Sequence, residues 1–272
     1  MAIKLMYITN NPSMAVVADK CGVDRIFIDL ETVGKAQRQA NRNTVISCHS
    51  LYDIDRIKPL LQKAKVIVRA NPIYNGSAEE LELIANSSAD IVMLPYFKAA
   101  AEVKTFISAI KGRKKVCLLF ETPEAVENAE EILSIEGIDE AFIGLNDLHI
   151  GYGMKFMFEP LTNGTVEKLC NLFAAKGIPY GFGGMARLNE GTLSAKLILG
   201  EHYRLSSSCV ILSRSFCNNE IVTDIKEFEN VFANGVKEIR EYETVLEKAD
   251  MAFFTENKAL LDERVKQIIA AI

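Results

Sequence analysis

Several apolar runs in the sequence end on a charge. VCLLFETPE (116–124) stops at Glu121, and AFIGLNDL (141–148) reaches Asp147. KVIVRAN (65–71) ends on Arg69, and RIFIDLE (25–31) ends on Asp29 and Glu31. A charge at the end of a buried run is costly unless it is paired or meets a counter-ion. Two carboxylates on neighbouring segments, with few histidines to compete, make a site for a hard divalent cation. Mg2+ takes one or two carboxylates and leaves its other positions to water or substrate. Such a cation polarises a carbonyl or stabilises an enolate, while a nearby arginine holds a substrate carboxylate in a bidentate grip. Zinc fits less well, because His49, His149 and His202 do not stand at ligand spacing.

Each group also has a plainer explanation. Glu121 can favour a helix start, with Thr122 as N-cap and Pro123 in the first turn. Asp147 can be an N-cap, and Arg69 a structural ion-pair partner. Capping does not explain why acids end two successive runs while an arginine ends a third.

These residues need elements to position them. KLMYIT (4–9), RIFIDL (25–30), KVIVRA (65–70), DIVMLPY (90–96), KVCLLFE (115–121), EAFIGL (140–145), PYGFGG (179–184) and CVILSRSF (209–216) read as strands. Several are apolar at nearly every position, as parallel strands covered on both faces are. Between them, 77–88, 99–112, 123–135 and 165–177 carry apolar residues at three- and four-residue steps, the period of amphipathic helices. Strands alternating with helices in this number predict a (β/α)8 TIM barrel, whose chemistry gathers at the C-terminal ends of the strands. After the eighth strand, 231–249 and 255–272 read as two further helices. The expected organisation is a barrel over 1–222 and C-terminal helices over 223–272. One helix closes the barrel. The other, with Leu260, Leu261, Val265, Ile268 and Ile269 on its apolar side, folds back on its own barrel or packs on a neighbouring subunit.

Composition narrows the function classes. The chain has 272 residues, 49% of them apolar and 25% charged, with a net charge of −5. The only basic cluster, KGRKK (111–115), is short and precedes a strand, so no nucleic-acid footprint is expected. No apolar stretch approaches the ~20 residues of a membrane span, and the N-terminus lacks a signal-peptide pattern. Six cysteines occur without a CxxC pair. Cys21, Cys48, Cys117, Cys170, Cys209 and Cys217 are expected as reduced thiols, several of them buried, in a cytoplasmic protein. No GxGxxG or GxxxxGK[ST] follows the first strand, which disfavours an open-sheet nucleotide-binding protein.

FIDLE, IVRAN, IVMLPYFKAAAEV, LFETPEAVENAEEIL and FIGLNDLHIGYG together resemble the HpcH/HpaI aldolase and citrate lyase β-subunit family of metal-dependent barrels. The resemblance runs from about residue 4 to residue 217, in matching order and spacing. It implies that Glu121 and Asp147 bind Mg2+ or Mn2+ and that Arg69 binds the carboxylate of a pyruvate-like or oxaloacetate-like 2-keto acid. It places Glu31 beside the metal water, and the amides around Leu145 and Asn146 in the keto-acid cradle. The implied reaction cleaves or forms a carbon–carbon bond through a metal-stabilised enolate. The implied assembly is a homotrimer or homohexamer that exchanges C-terminal helices.

The chain departs from that pattern at Thr32, where the 2-keto-acid aldolases carry His and the citrate lyase branch an acid. ETVGKAQRQANR (31–42) keeps the spaced basic residues of the latter branch. The general base is therefore open between hydroxide held by Glu31 and His149, and His149 equally suits a plain helix start. GGMARLNEG (183–191) reads either as a Gly-rich turn opening a helix and binding an anion or as close packing under the mouth. Arg204 and Arg214 are candidates for a distal phosphate or carboxylate. The leading expectation is a metal-dependent carbon–carbon lyase of 2-keto acids. The alternatives are a barrel that binds metal and keto acid, or serves assembly, without catalysis, and a phosphoenolpyruvate-handling enzyme.

Overall fold

A computed structural model describes residues 2–34, 49–217 and 224–272 of the protein. Cys48, residues 35–42 of the basic loop and the expected boundary at 222 and 223 lie outside the described residues.

The strands are β1 (Lys4–Ile8), β2 (Arg25–Asp29), β3 (Lys65–Arg69), β4 (Ile91–Leu94), β5 (Lys115–Phe120), β6 (Glu140–Ile143), β7 (Tyr180–Met185) and β8 (Cys209–Leu212). They pair in parallel in chain order, and β8 pairs with β1 to close the barrel. This is the (β/α)8 barrel expected from the alternation of strands and helices. The strands are buried on both faces for a simple reason. Met6, Phe27, Ile67, Ile91, Met93, Cys117, Leu119, Phe142 and Cys209 fill the lumen, while residues of opposite parity such as Ile26, Val66, Val92 and Leu118 meet the surrounding helices.

Low in the lumen, Arg25 forms a bidentate pair with Glu140, Nη1 to Oε2 at 2.6 Å and Nη2 to Oε1 at 2.8 Å. Burial works against the Arg25 charge, but Glu140 more than offsets it and the pKa is raised. Met6, Cys117 and Cys209 surround the pair. Cys117, Cys170, Cys209 and Cys217 are buried free thiols, and burial pushes each pKa up.

The outer layer comprises α1 (Pro12–Lys20), α2 (Leu51–Ile57), α3 (Ser77–Asn86), α4 (Ala100–Ile110), α5 (Pro123–Glu127), α6 (Ala129–Ile132), α7 (Leu145–Gly151), α8 (Glu159–Thr162), α9 (Thr165–Ala175) and α10 (Ala195–Arg204). Two long helices follow, α11 (Ile225–Leu246) and α12 (Met251–Ala271). Asp224 caps α11 by accepting from the amides of Lys226 and Glu227, so this helix begins six residues before the expected 231. Its buried side sets Phe228 and Phe232 against Tyr7 and Phe216, with Tyr7 and Phe232 edge to face at 4.8 Å. Helix α12 folds back on its own chain, along α10 and α8. Leu261 and Val265 are buried there, whereas Leu260 faces outward. Asn257 fills the space over Gly200, where a Cβ would stand 2.6 Å from its carboxamide, and donates to the Leu197 carbonyl at 3.1 Å. Among the described residues no helix is long and apolar enough to cross a membrane.

Two expectations need correction. No helix opens at GGMARLNEG: β7 runs through Gly183 and Gly184 to Met185, and the next helix starts at Ala195. Gly183 has φ +57°, and a Cβ there would lie 2.8 Å from Leu145 Cδ1, so close packing explains the glycine. Arg204 is not held for a distal anion. Its guanidinium is committed to Glu167 and Glu201 beneath α12.

Candidate active site

Asp29, Arg69 and Glu121 each stand two residues beyond a lumen side chain, namely Phe27, Ile67 and Leu119. The two-residue period of a strand therefore points all three into the mouth. Asp29 lies directly across from Arg69 in the β2–β3 register. Arg69 Nε and Nη2 donate to the two Asp29 oxygens at 2.9 and 2.8 Å, and Glu31 Oε2 stands 3.4 Å from Nε. The guanidinium sits over the Phe27 ring at 5.7 Å. Burial opposes its charge, yet Asp29 and Glu31, with Glu121 adding to them, raise the pKa. The side edge of the guanidinium is thus taken by Asp29. The end of the fork, Nη1 with the second proton of Nη2, is the part that can meet a substrate carboxylate.

Glu121 is 3% exposed and does not cap the helix that follows. Thr122 does that, accepting from the Ala125 amide at 3.1 Å with Pro123 in the first turn. The Glu121 carboxylate turns instead to the β4–α4 loop, where Oε1 accepts from the Tyr96 amide at 3.0 Å. On its other side lies Gly144. A Cβ there would stand 2.6 Å from Glu121 Oε2 and 2.9 Å from its Cβ, so the close approach of β6 to the acid requires glycine.

Gly144 also occupies the N-cap position of α7, which puts Asp147 in the first turn instead of at the cap. Leu145 is buried, Asn146 half-buried, and their amides belong to the helix start, where amides lack intrahelical acceptors. Asp147 is 7% exposed, and its buried Oδ1 has no hydrogen-bond partner among the described residues. A buried carboxylate oxygen without a donor is expensive, and a cation would explain it. Among the described residues no group of three or more His, Cys, Asp or Glu side chains is placed to hold a metal. A donor set of two carboxylates fits a hard cation that completes its shell with water and substrate oxygens.

Thr32 offers no base. Its amide and hydroxyl point to Asn71 Oδ1 at 2.8 and 3.4 Å, and the Val33 amide joins at 2.8 Å. Asn71 in turn donates through Nδ2 to both oxygens of Glu80 at 3.1 Å. This clamp fixes the loop that carries Glu31, and no spacing in the sequence pointed to it. His149 is buried, with Nδ1 at 3.3 Å from the Leu145 carbonyl. A carbonyl only accepts, so this contact is made by an Nδ1 proton, and in the neutral ring Nε2 is then the acceptor nitrogen. His49 has the opposite arrangement: Nδ1 accepts from the Asp29 amide at 3.0 Å, so the neutral ring carries its proton on Nε2. His49 is twenty residues from Asp29 in sequence, and only the fold brings it to the rim. His202 lies away from the mouth, stacked on Phe182 at 3.8 Å between β7 and α10.

The family model for HpcH/HpaI aldolase/citrate lyase matches residues 4–159, more than half of the chain. The chain belongs to the HpcH/HpaI aldolase/citrate lyase family. Solved structures with the same fold include an HpcH/HpaI aldolase from Desulfitobacterium hafniense DCB-2, at 15% identity and TM-score 0.60, covering 88% of this chain and 93% of that one. An HpcH/HpaI aldolase/citrate lyase family protein from Burkholderia cenocepacia J2315 aligns at 12% identity and TM-score 0.62, over 83% of this chain and 93% of that one. Citrate synthase SbnG aligns at 14% identity and TM-score 0.62, over 84% of this chain and 94% of that one. No curated protein matches the chain in sequence. Membership of the HpcH/HpaI aldolase/citrate lyase family supports an aldolase- or lyase-type activity.

Proposed function

We propose that the protein is a divalent-metal-dependent carbon–carbon lyase of the aldolase type, acting on a 2-keto acid or related carboxylate. The observation that carries this reading is the buried Oδ1 of Asp147, without a donor among the described residues, in the mouth of a family barrel where buried Glu121 follows the neighbouring strand β5. Glu121 and Asp147 would hold Mg2+ or Mn2+, which when bound polarises the keto oxygen and stabilises the negative charge that develops as the bond breaks. Arg69 binds the substrate carboxylate through the end of its guanidinium, since Asp29 occupies the side edge. The amides of Leu145 and Asn146 assist that cradle. Glu31, fully buried and in ionic contact with Arg69, keeps the guanidinium oriented. His149 accepts the proton at Nε2. The proposal includes a homo-oligomer, supported by the exposed apolar side chains of Met251 and Leu260 in α12 and of Ile272 just after it.

The test is proton exchange at C3 of pyruvate in deuterated water. The wild type should exchange in the presence of Mg2+ or Mn2+, and both EDTA and Glu121→Gln should abolish exchange while circular dichroism stays unchanged. Exchange that survives both treatments refutes the proposal. Thr32, with its polar groups committed to Asn71, favours one second reading, a barrel that binds without turnover. That reading requires metal and oxalate binding with no exchange in the wild type.

A further inference from the structure

Tyr96 stands at the start of the β4–α4 loop with φ +49°, a left-handed backbone that a side chain with a Cβ adopts at a cost. Nothing in a surface turn obliges this: a glycine or asparagine would fit the conformation more easily. Strain held in place by its surroundings points to what the conformation achieves. Here the left-handed turn aims the Tyr96 amide at Glu121 Oε1, 3.0 Å away. The next residue is tied to the same strand end, because Thr122 Oγ1 donates to the Phe97 carbonyl at 2.7 Å. Both residues of the Glu-Thr pair therefore read the backbone of one loop, Glu121 accepting and Thr122 donating. On the far side, Gly144 presses against Oε2 and the Cβ of Glu121.

We infer that Tyr96 is a positioning residue whose strained backbone amide holds Glu121 Oε1 and thereby sets the carboxylate for a divalent cation. This rests on the metal-site reading above and deepens it. The positioning comes from the backbone, so it depends on whether residue 96 tolerates positive φ and not on the tyrosine ring. Tyr96→Gly and Tyr96→Asn keep the left-handed turn, Tyr96→Phe keeps the ring, and Tyr96→Val, β-branched, opposes the turn.

The experiment measures Mn2+ affinity by electron paramagnetic resonance on the full-length variants, with circular dichroism to check folding. The Gly, Asn and Phe variants should bind within about threefold of wild type. Tyr96→Val should bind at least about tenfold more weakly, the scale of one lost hydrogen bond to a charged group. A second reading needs no metal. The Tyr96 amide should exchange slowly with solvent in the wild type and quickly in Glu121→Ala. Affinity that follows the ring, a Val variant that binds as wild type does, or a Tyr96 amide indifferent to Glu121 overturns the inference. Wild type that binds no Mn2+ sinks the metal reading and this inference with it. A flat series on a wild type that binds sinks this inference alone.

Discussion

Asp147→Asn should make the protein more stable without metal and less stable with it. The carboxylate is 7% exposed and its Oδ1 meets no donor among the described residues. Leaving such a group unsatisfied costs about 1–3 kcal/mol. Its place in the first turn of α7 returns about 0.3–1 kcal/mol through the helix dipole. Removing the charge should therefore gain about 1–2 kcal/mol in EDTA, and at about 2–4 °C per kcal/mol for a domain of this size the Tm should rise by about 2–8 °C. Mg2+ at a hundred times its Kd should stabilise the wild type by about 2.7 kcal/mol. The Asn variant should show almost none of that gain, so the order of stability inverts when EDTA is replaced by Mg2+. Thermal unfolding followed by circular dichroism in the two buffers reads both effects. An Asn variant less stable than wild type in EDTA, or one that gains as much from Mg2+, would mean that the Asp147 carboxylate is satisfied within the chain and that no cation is needed to explain it.

Two further outcomes concern the scaffold. Arg25→Met leaves Glu140 charged and buried in the lumen, and should cost about 3–5 kcal/mol in urea unfolding, most of it recovered by adding Glu140→Leu. Burial lowers the pKa of His202 to about 3, below its value near 6.5 in an unfolded chain. The unfolded state therefore takes up a proton below about pH 6.5 that the folded state refuses. Stability from this residue should be unaffected above that pH and fall by about 2 kcal/mol on going to pH 5, and His202→Gln should flatten the slope.

The barrel could be read from the sequence because parallel strands buried on both faces appear as near-continuous apolar runs, and all eight expected runs became strands. Their ends were less legible. CVILSRSF was expected to reach 216, but β8 stops at Leu212 once its partners end. The stretch 123–135 reads as one helix but breaks at Asn128, whose side chain donates to the Lys98 carbonyl. Glu121, Asp147 and Arg69 stood out because a charge closing an apolar run is conspicuous. Their partners did not, since the pairing of Asp29 with Arg69 needs the strand register and the Thr32–Asn71–Glu80 clamp joins two loops. The positive φ of Tyr96 leaves no trace in residue type. Arg204 looked available only because Glu167, thirty-seven residues away in sequence, could not be seen beside it.

The ion pair of Arg25 with Glu140 has a consequence for traffic through the barrel. With Met6, Cys117 and Cys209 around it, it stops the lower end of the lumen, and Phe27, Ile67, Leu119 and Phe142 fill the space above. Among the described residues, the lumen is closed below and open only toward the C-terminal ends of the strands. Under the proposed cleavage, both fragments would leave past the loops that admitted their parent, in sequence and not in parallel. On that reading the fragment nearer the floor would leave last, and the next substrate would wait for it.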